Sequence, residues 1–144
     1  KAPITRAQFA AICARFDTGK SNGEQTFSDI QGHWAEKYIQ RAAELGWIKG
    51  FEDGTFRPYK TISRQEAAAM LDRLYQVLGG KTDVVSEKAF ADDAKIGDWA
   101  RGSVYAMRQT GIMQGKENNQ FCPTDGYTAE QSIVTIERMY QIIK

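Results

Sequence analysis

Three stretches of the chain carry apolar residues at helical spacing behind the same opening device. Thr5 with Gln8, Ser63 with Glu66 and Thr128 with Gln131 each set a Ser or Thr three residues ahead of a Glu or Gln. That spacing is the capping box that starts a helix. Behind the first box come Phe9, Ile12, Cys13 and Phe16, and behind the second Ala67, Met70, Leu71, Leu74 and Leu78. Behind the third come Ile133, Ile136, Tyr140 and Ile143, with Met139 beside them. Each stripe predicts an amphipathic helix that needs a partner surface. A second helix type opens at a tryptophan. Trp34, Ala35, Tyr38, Ile39, Ala42 and Leu45 form one stripe ended by Gly46, and Trp99, Val104 and Met107 repeat it ahead of Gly111. The chain between the two types is too rich in Gly and Pro for helix. Glu52-Asp53-Gly54 is a tight-turn signal, and Phe56-Arg57-Pro58 leads into the next cap. Trp47-Ile48 and Thr55-Phe56 are expected to pair as a minimal hairpin around that turn.

The helices and their loop recur as one unit. Phe27-Ser28-Asp29, Trp34-Ala35, Gly46-Trp47-Ile48-Lys49-Gly50, Phe56-Arg57-Pro58 and Ile62-Ser63-Arg64-Gln65-Glu66 form the first full copy. Phe90-Ala91-Asp92, Trp99-Ala100, Gly111-Ile112-Met113-Gln114-Gly115, Phe121-Cys122-Pro123 and Tyr127-Thr128-Ala129-Glu130-Gln131 form the second. From Trp34 and Trp99 onward the offset between the two copies is constant. Ile4-Thr5-Arg6-Ala7-Gln8-Phe9 opens the chain as a partial copy. Repetition on this scale signals a modular array. The expected organisation is the closing helix of a partial unit plus linker over 1–26, a complete unit plus linker over 27–89, and a complete, partly degenerate unit over 90–144. The connectors Asp17–Thr26 and Gly79–Ala89 are rich in Gly, Ser, Lys, Asp and Thr and are expected at the surface. The fold class is mostly α, in tandem helix–loop–helix repeats with short extended pieces in the loops.

Composition narrows the function by exclusion. Over 144 residues the formal net charge is +1, which supplies no basic face for nucleic acid. No apolar run approaches the roughly 20 residues of a membrane span, and no signal peptide is visible, so any export signal is expected outside this sequence. Cys13 and Cys122 lack metal-ligand spacing. Cys13 stands at an apolar helix position equivalent to Leu71, which favours a small buried thiol over a disulfide. With one histidine and two scattered cysteines, no nucleophile–base–orienter set can be assembled. His33 flanks a helix start, and Asp98 replaces it in the next unit. Asp92-Asp93 and Glu52-Asp53 sit among turn residues and lack the alternation of a calcium loop. The expectation is no enzyme, no metal and no cofactor.

One position in the repeat works against its own helix. Arg6 and Arg64 occupy the first helical position, where a cation opposes the positive end of the helix dipole at about 0.3–1 kcal/mol. Local rule-breaking of this kind points to function. One resolution is an anion held jointly by the guanidinium and the N–H groups of the first turn. The other is a salt bridge to an aspartate of another repeat, Asp29 or Asp92. The third copy has Ala129 at this position, so its site is expected to be weaker or absent. Trp34 and Trp99 open matching stripes, where an aromatic more often belongs to the core than to a sugar-stacking surface. Gly46, Gly50, Gly111 and Gly115 mark positions of unusual φ or close approach.

Together these motifs resemble the repeat of the S-layer homology domain, with its Phe-x-Asp, His-Trp-Ala, Asp-Gly-Thr-Phe-x-Pro and Ile-Thr-Arg-Ala-Glu-Phe segments. Residues 27–75 match almost throughout, residues 90–140 more loosely, and residues 4–16 match the closing helix. The resemblance implies a pseudo-threefold α-helical spindle, with grooves between neighbouring repeats. It implies a non-catalytic module at the bacterial cell surface, in the cell wall or S-layer. There it would bind a secondary cell-wall polysaccharide linked to peptidoglycan, often through a pyruvylated N-acetylmannosamine. The family's ligand-contacting arginine maps onto Arg6 and Arg64. Asp29 and Asp92 would orient donors or bond sugar hydroxyls, and Trp34 with Trp99 would wall the grooves. The alternative is a helical protein–protein module for surface-layer assembly or partner docking. The chain opens at a closing helix, without a counterpart of residues 27–58, and self-association through that incomplete repeat is an added expectation.

Overall fold

The computed structural model describes residues 2–17, 19, 27–81 and 88–143. Most of both predicted connectors lies outside the described residues. Five α-helices form among those described: α1 Arg6–Ile12, α2 Glu36–Leu45, α3 Arg64–Val77, α4 Asp98–Thr110 and α5 Ala129–Ile143. α1, α3 and α5 are the capped closing helices, and α2 and α4 are the helices that follow a tryptophan. Short 3-10 turns at Cys13–Phe16, Asp93–Lys95 and Glu117–Asn119 complete the order. The fold is mostly α.

The capping boxes work as their spacing requires. The Gln8 N–H donates to Thr5 Oγ1 while the Thr5 N–H donates to Gln8 Oε1, at 3.1 and 2.8 Å. Ser63 with Glu66 and Thr128 with Gln131 exchange the same pair of bonds. Gly46 and Gly111 end α2 and α4 in the left-handed conformation, at φ 92° and 82°.

The three cap segments meet on an axis. The Ile4 N–H donates to the Tyr127 carbonyl (2.9 Å), that of Tyr127 to Ile62 (3.0 Å), and that of Ile62 back to Ile4 (3.0 Å). This closed ring is the pseudo-threefold centre of a spindle. Each copy supplies one donor and one acceptor, so no edge is left unpaired there. Phe9, Trp47 and Tyr127 pack beside the ring, with Phe9 edge-on to both partners at centroid distances of 6.0 and 5.6 Å. All three side chains are buried.

Several sequence expectations change here. The hairpin of Trp47-Ile48 with Thr55-Phe56 does not form; among the described residues the extended pairings are isolated bridges, at Pro3–Thr128, Thr5–Thr61, Ser63–Gly126 and Lys116–Gln120. The turn itself is present, closed by the Phe51 N–H on the Thr55 carbonyl. Trp47 and Ile48 are drawn into the core instead, and the Phe56 backbone is taken by the side chains of Arg6 and Asp29. The tryptophans at the helix starts are not core: Trp34 and Trp99 are 62% and 63% exposed. Both stand ahead of the buried part of their stripe, which begins at Ala35 and Ala100.

The third stripe is also incomplete. Ile136 and Met139 are buried, but Ile133 is 63% exposed where its counterpart Ala68 in α3 is fully buried. α3 receives α4 on that side, as Ser103 Oγ donating to Asp72 Oδ2 shows, while among the described residues Ile133 of α5 is left exposed. Cys13 and Cys122 are both free thiols, Cys13 being buried.

Candidate functional site

Arg6 and Arg64 lead out of helix starts whose own N–H groups are already spoken for. The Arg6 and Ala7 N–H groups donate to the carbonyls of Lys60 and Pro58, at 2.8 and 3.1 Å, and Thr5 takes the Gln8 N–H. In the next copy the Arg64 and Gln65 N–H groups donate to Asp125 and Pro123, at 2.8 and 3.0 Å. The expected joint cradle of guanidinium and first-turn N–H groups is therefore not formed. Backbone carbonyls of the following repeat satisfy those donors and stand where an anion would sit.

The two side chains reach into that same neighbouring loop. Arg6 Nε donates to the Phe56 carbonyl at 2.8 Å and Arg6 Nη2 to that of Lys49 at 2.9 Å. Arg64 repeats this on Phe121 (2.9 Å) and Gln114 (2.7 Å), the equivalent positions of the next repeat. Each guanidinium also lies over an aromatic ring, 4.4 Å from the Phe56 centroid and 4.7 Å from that of Phe121. Burial lowers the Arg6 guanidinium to about 10, helped by the charges of Arg73 and Arg57 and opposed by Glu66 and Asp29. Arg64 is lowered by burial as well. Both remain cations at neutral pH.

Asp29 and Asp92 grip the same loops from behind. Asp29 accepts the N–H groups of Phe56 and Arg57, both at 2.8 Å, and Asp92 those of Phe121 and Cys122, at 2.9 and 2.8 Å. Arg57 and Cys122 each sit at φ 60°, a left-handed backbone that costs about 1–2 kcal/mol for a side chain with a Cβ. The carboxylate offsets that cost by fixing the turn ahead of Pro58 and Pro123. Neither aspartate makes an ion pair with Arg6 or Arg64 among the described residues, so the salt-bridge expectation is replaced by a shared loop. Both oxygens of each are engaged by backbone, which gives them a task other than the sugar hydroxyls expected of them.

Two grooves result, related position by position. The first, about 370 Å³, is walled by Arg6, the Lys49–Phe51 loop, α3 residues Glu66, Met70 and Arg73, and Trp99. The second, about 320 Å³, is walled by Arg64, the Gln114–Lys116 loop, and α5 residues Gln131, Thr135 and Arg138. Gly50 and Gly115 floor the loops because nothing larger fits. A Cβ on Gly50 would stand 2.6 Å from the Thr55 carbonyl oxygen, and one on Gly115 would stand 3.0 Å from that of Gln120. Trp99 reaches the first groove. Trp34 lies instead beside His33 and, through it, Tyr59, with centroid distances of 5.5 and 5.0 Å from the imidazole.

Arg73 and Arg138 are groove residues that the sequence reading did not single out. Their shared register, at the same repeat position on the outward side of matching helices, was the available signal. Among the described residues no group of three His, Cys, Asp or Glu could hold a metal ion. No helix there is long and apolar enough to cross a membrane.

The sequence pattern of the S-layer homology domain matches residues 26–68 and 89–126. The chain belongs to the S-layer homology domain family. Among its relatives, an amylopullulanase of Thermoanaerobacterium thermosulfurigenes is 35% identical over 139 residues, 92% of this chain and 7% of that protein. A cellulosome-anchoring protein of Acetivibrio thermocellus is 42% identical over 76 residues, 49% of this chain and 17% of that protein. The S-layer protein sap of Bacillus anthracis is 30% identical over 119 residues, 82% of this chain and 14% of that protein. The chain thus spans under a fifth of the length of each. S-layer homology domains are non-catalytic anchoring domains, and this one is a cell-surface anchoring module placed at the bacterial cell surface or wall.

Proposed function

We propose that the two inter-repeat grooves hold an acidic secondary cell-wall polysaccharide, with a pyruvate ketal as the recognised group. The observation that carries this reading is a pair of guanidinium groups in each groove without an ion-paired carboxylate, although Glu66 and Glu130 also line the two walls. Each groove is walled by two arginines, Arg6 with Arg73 and Arg64 with Arg138, and none of the four has a carboxylate partner among the described residues. Guanidinium groups held in a partly desolvated cleft favour a carboxylate ligand. Trp99 supplies an exposed indole face for a sugar ring at the first groove. In this reading Arg6 and Arg64 set the charge and Asp29 and Asp92 hold the loops that shape the groove. Trp34, at the position equivalent to Trp99, would serve a groove on the α1 side.

The test is retention on cell-wall sacculi before and after mild-acid removal of pyruvate. Binding that disappears with the ketal supports the reading, and binding that ignores the treatment sinks it.

A second reading, a helical protein–protein module, has one observation in its favour. Ile133, Val134 and Ile142 of α5 are exposed at 63%, 45% and 44%. The occupant of that face would be a second copy of the chain. Sedimentation of the wild type as a dimer and of Ile133→Asp as a monomer supports this; a monomeric wild type rejects it.

A further inference from the structure

Between α1 and α2 lies a cavity of about 250 Å³ that shares no wall residue with either groove. Its floor is apolar. Cys13 from the turn that follows α1, Ala42 and Leu45 from α2, and Trp47 just past the Gly46 cap line it, all four buried. Tyr38, Asp17 and Arg41 stand at the rim.

The second copy shows why space is left here. α3 and α4 meet as α1 and α2 do, but the positions equivalent to Cys13 and Ala42 are Leu71 and Met107, both fully buried. Tyr75, also buried, takes the place of Asp17. A thiol, a methyl and a surface carboxylate thus replace three long side chains. Tyr38 and Arg41 are larger than their counterparts Ser103 and Ala106, yet they do not close the gap. Tyr38 is 45% exposed, and the Arg41 guanidinium is held at the surface by Asp17. An apolar void of this kind lacks partner atoms on one side and holds water poorly, so a molecule that fills it gains contacts the fold does not supply.

The chemistry of the walls selects the ligand. Arg41 Nε and Nη2 grip the two Asp17 oxygens in parallel, both at 2.8 Å, and Arg41 Nη1 donates to Glu44 at 3.2 Å. The Gly19 N–H donates to Asp17 Oδ1 at 2.8 Å. The rim charges therefore satisfy one another and leave no spare cation for an anion. A charged group carried to the floor would lose its hydration with nothing there to replace it. Size points the same way, since an apolar cavity of about 150 Å³ is enough to hold a benzene ring. Trp47 and Tyr38 add aromatic surface, against which a flat ring packs well. We propose that the α1–α2 cavity is a binding site for a neutral aromatic molecule of one or two rings, separate from the polysaccharide grooves.

The experiment uses this chain with indole as the probe and indole-3-acetate as its charged counterpart. Indole at about ten times its dissociation constant raises the unfolding temperature by roughly 3–6 °C. In the NMR spectrum the Trp47 indole N–H moves, while those of Trp34 and Trp99 stay. Cys13→Leu and Ala42→Met fill the cavity from opposite walls with side chains that the second copy already packs. Each variant keeps or raises the unfolding temperature and loses the indole response. A wild type whose unfolding temperature and Trp47 signal ignore indole overturns the site. So does an equal response in the filled variants, or one that moves Trp34 or Trp99 in place of Trp47. Equal binding of indole-3-acetate overturns the assignment to neutral ligands. If one variant fails to fold, the other carries the comparison, and if both fail, the wild-type Trp47 signal decides.

Discussion

Arg6 and Asp29 hold opposite ends of the same residue. The arginine, from the first repeat, donates to the Phe56 carbonyl, and the aspartate, from the second, accepts the Phe56 N–H. Arg64 and Asp92 treat Phe121 in the same way. A loop with no sheet or helix of its own is thereby fixed from two sides, and one of the two hands belongs to the neighbouring repeat. The groove floor is as rigid as that grip.

Arg6→Ala and Arg64→Ala are expected to act first on stability. Each removes two hydrogen bonds from a charged donor and leaves two loop carbonyls without it, for about 2–4 kcal/mol. Denaturant unfolding checks this, and an unchanged midpoint would mean that the loops stand without the arginine.

Gly50→Ala should cost about 1–3 kcal/mol through overpacking, because the added methyl meets a backbone oxygen that cannot swing aside. Gly115→Ala should cost less, since its carbonyl neighbour is farther away. Equal unfolding midpoints for the two variants would contradict this ordering.

Acid should weaken the fold through Asp92. Burial works to raise its carboxyl, but the N–H groups of Phe121 and Cys122 outweigh it and hold it below the usual carboxylate range. A carboxyl with a lowered folded-state value contributes stability fully above its unfolded value near 4, and loses it as pH falls through the folded one. Glu66 adds in the same direction: burial opposes its ionised form, while the Ser63 N–H and Lys60 favour it more. Unfolding midpoints measured from pH 6 to 2 should drop below about pH 4, and Asp92→Asn should flatten part of that drop.

The two thiols should separate by accessibility. Cys13 is fully buried and burial pushes its thiol up, whereas Cys122 is half-buried in a surface loop. A thiol-reactive dye should label Cys122 readily under native conditions and Cys13 only as the chain unfolds. Two equally fast thiols would place Cys13 outside the core.

Much of the fold was legible because it depends on neighbours in sequence. The capping box of Ser63 and Glu66 closes within one helical turn, and Gly46 ends its helix by its own φ. The repeat register was legible too, and through it the likeness of the two grooves. Trp34 and Trp99 were harder: a residue that opens an apolar stripe can face in or out, and the helix start decides which. Ile133 failed for a related reason. Helical spacing says which residues share a face, and only the presence of another helix says whether that face is covered.

Arg6 shows most sharply where sequence stopped and tertiary structure began. That a cation at the first helical position is unfavourable to its own helix follows from the helix dipole, and so does the inference that it answers to something else. What it answers to could not follow. The carbonyls of Phe56 and Lys49 lie far along the chain from Arg6, and only the threefold ring of Ile4, Ile62 and Tyr127 brings that loop to the helix start. Local hydrogen bonding and periodicity, which act over a few residues, set the helices, their ends and their repetition. The assembly of the three caps around one axis decided which loop carbonyls Arg6 and Arg64 hold, and set both arginines in the walls of the grooves.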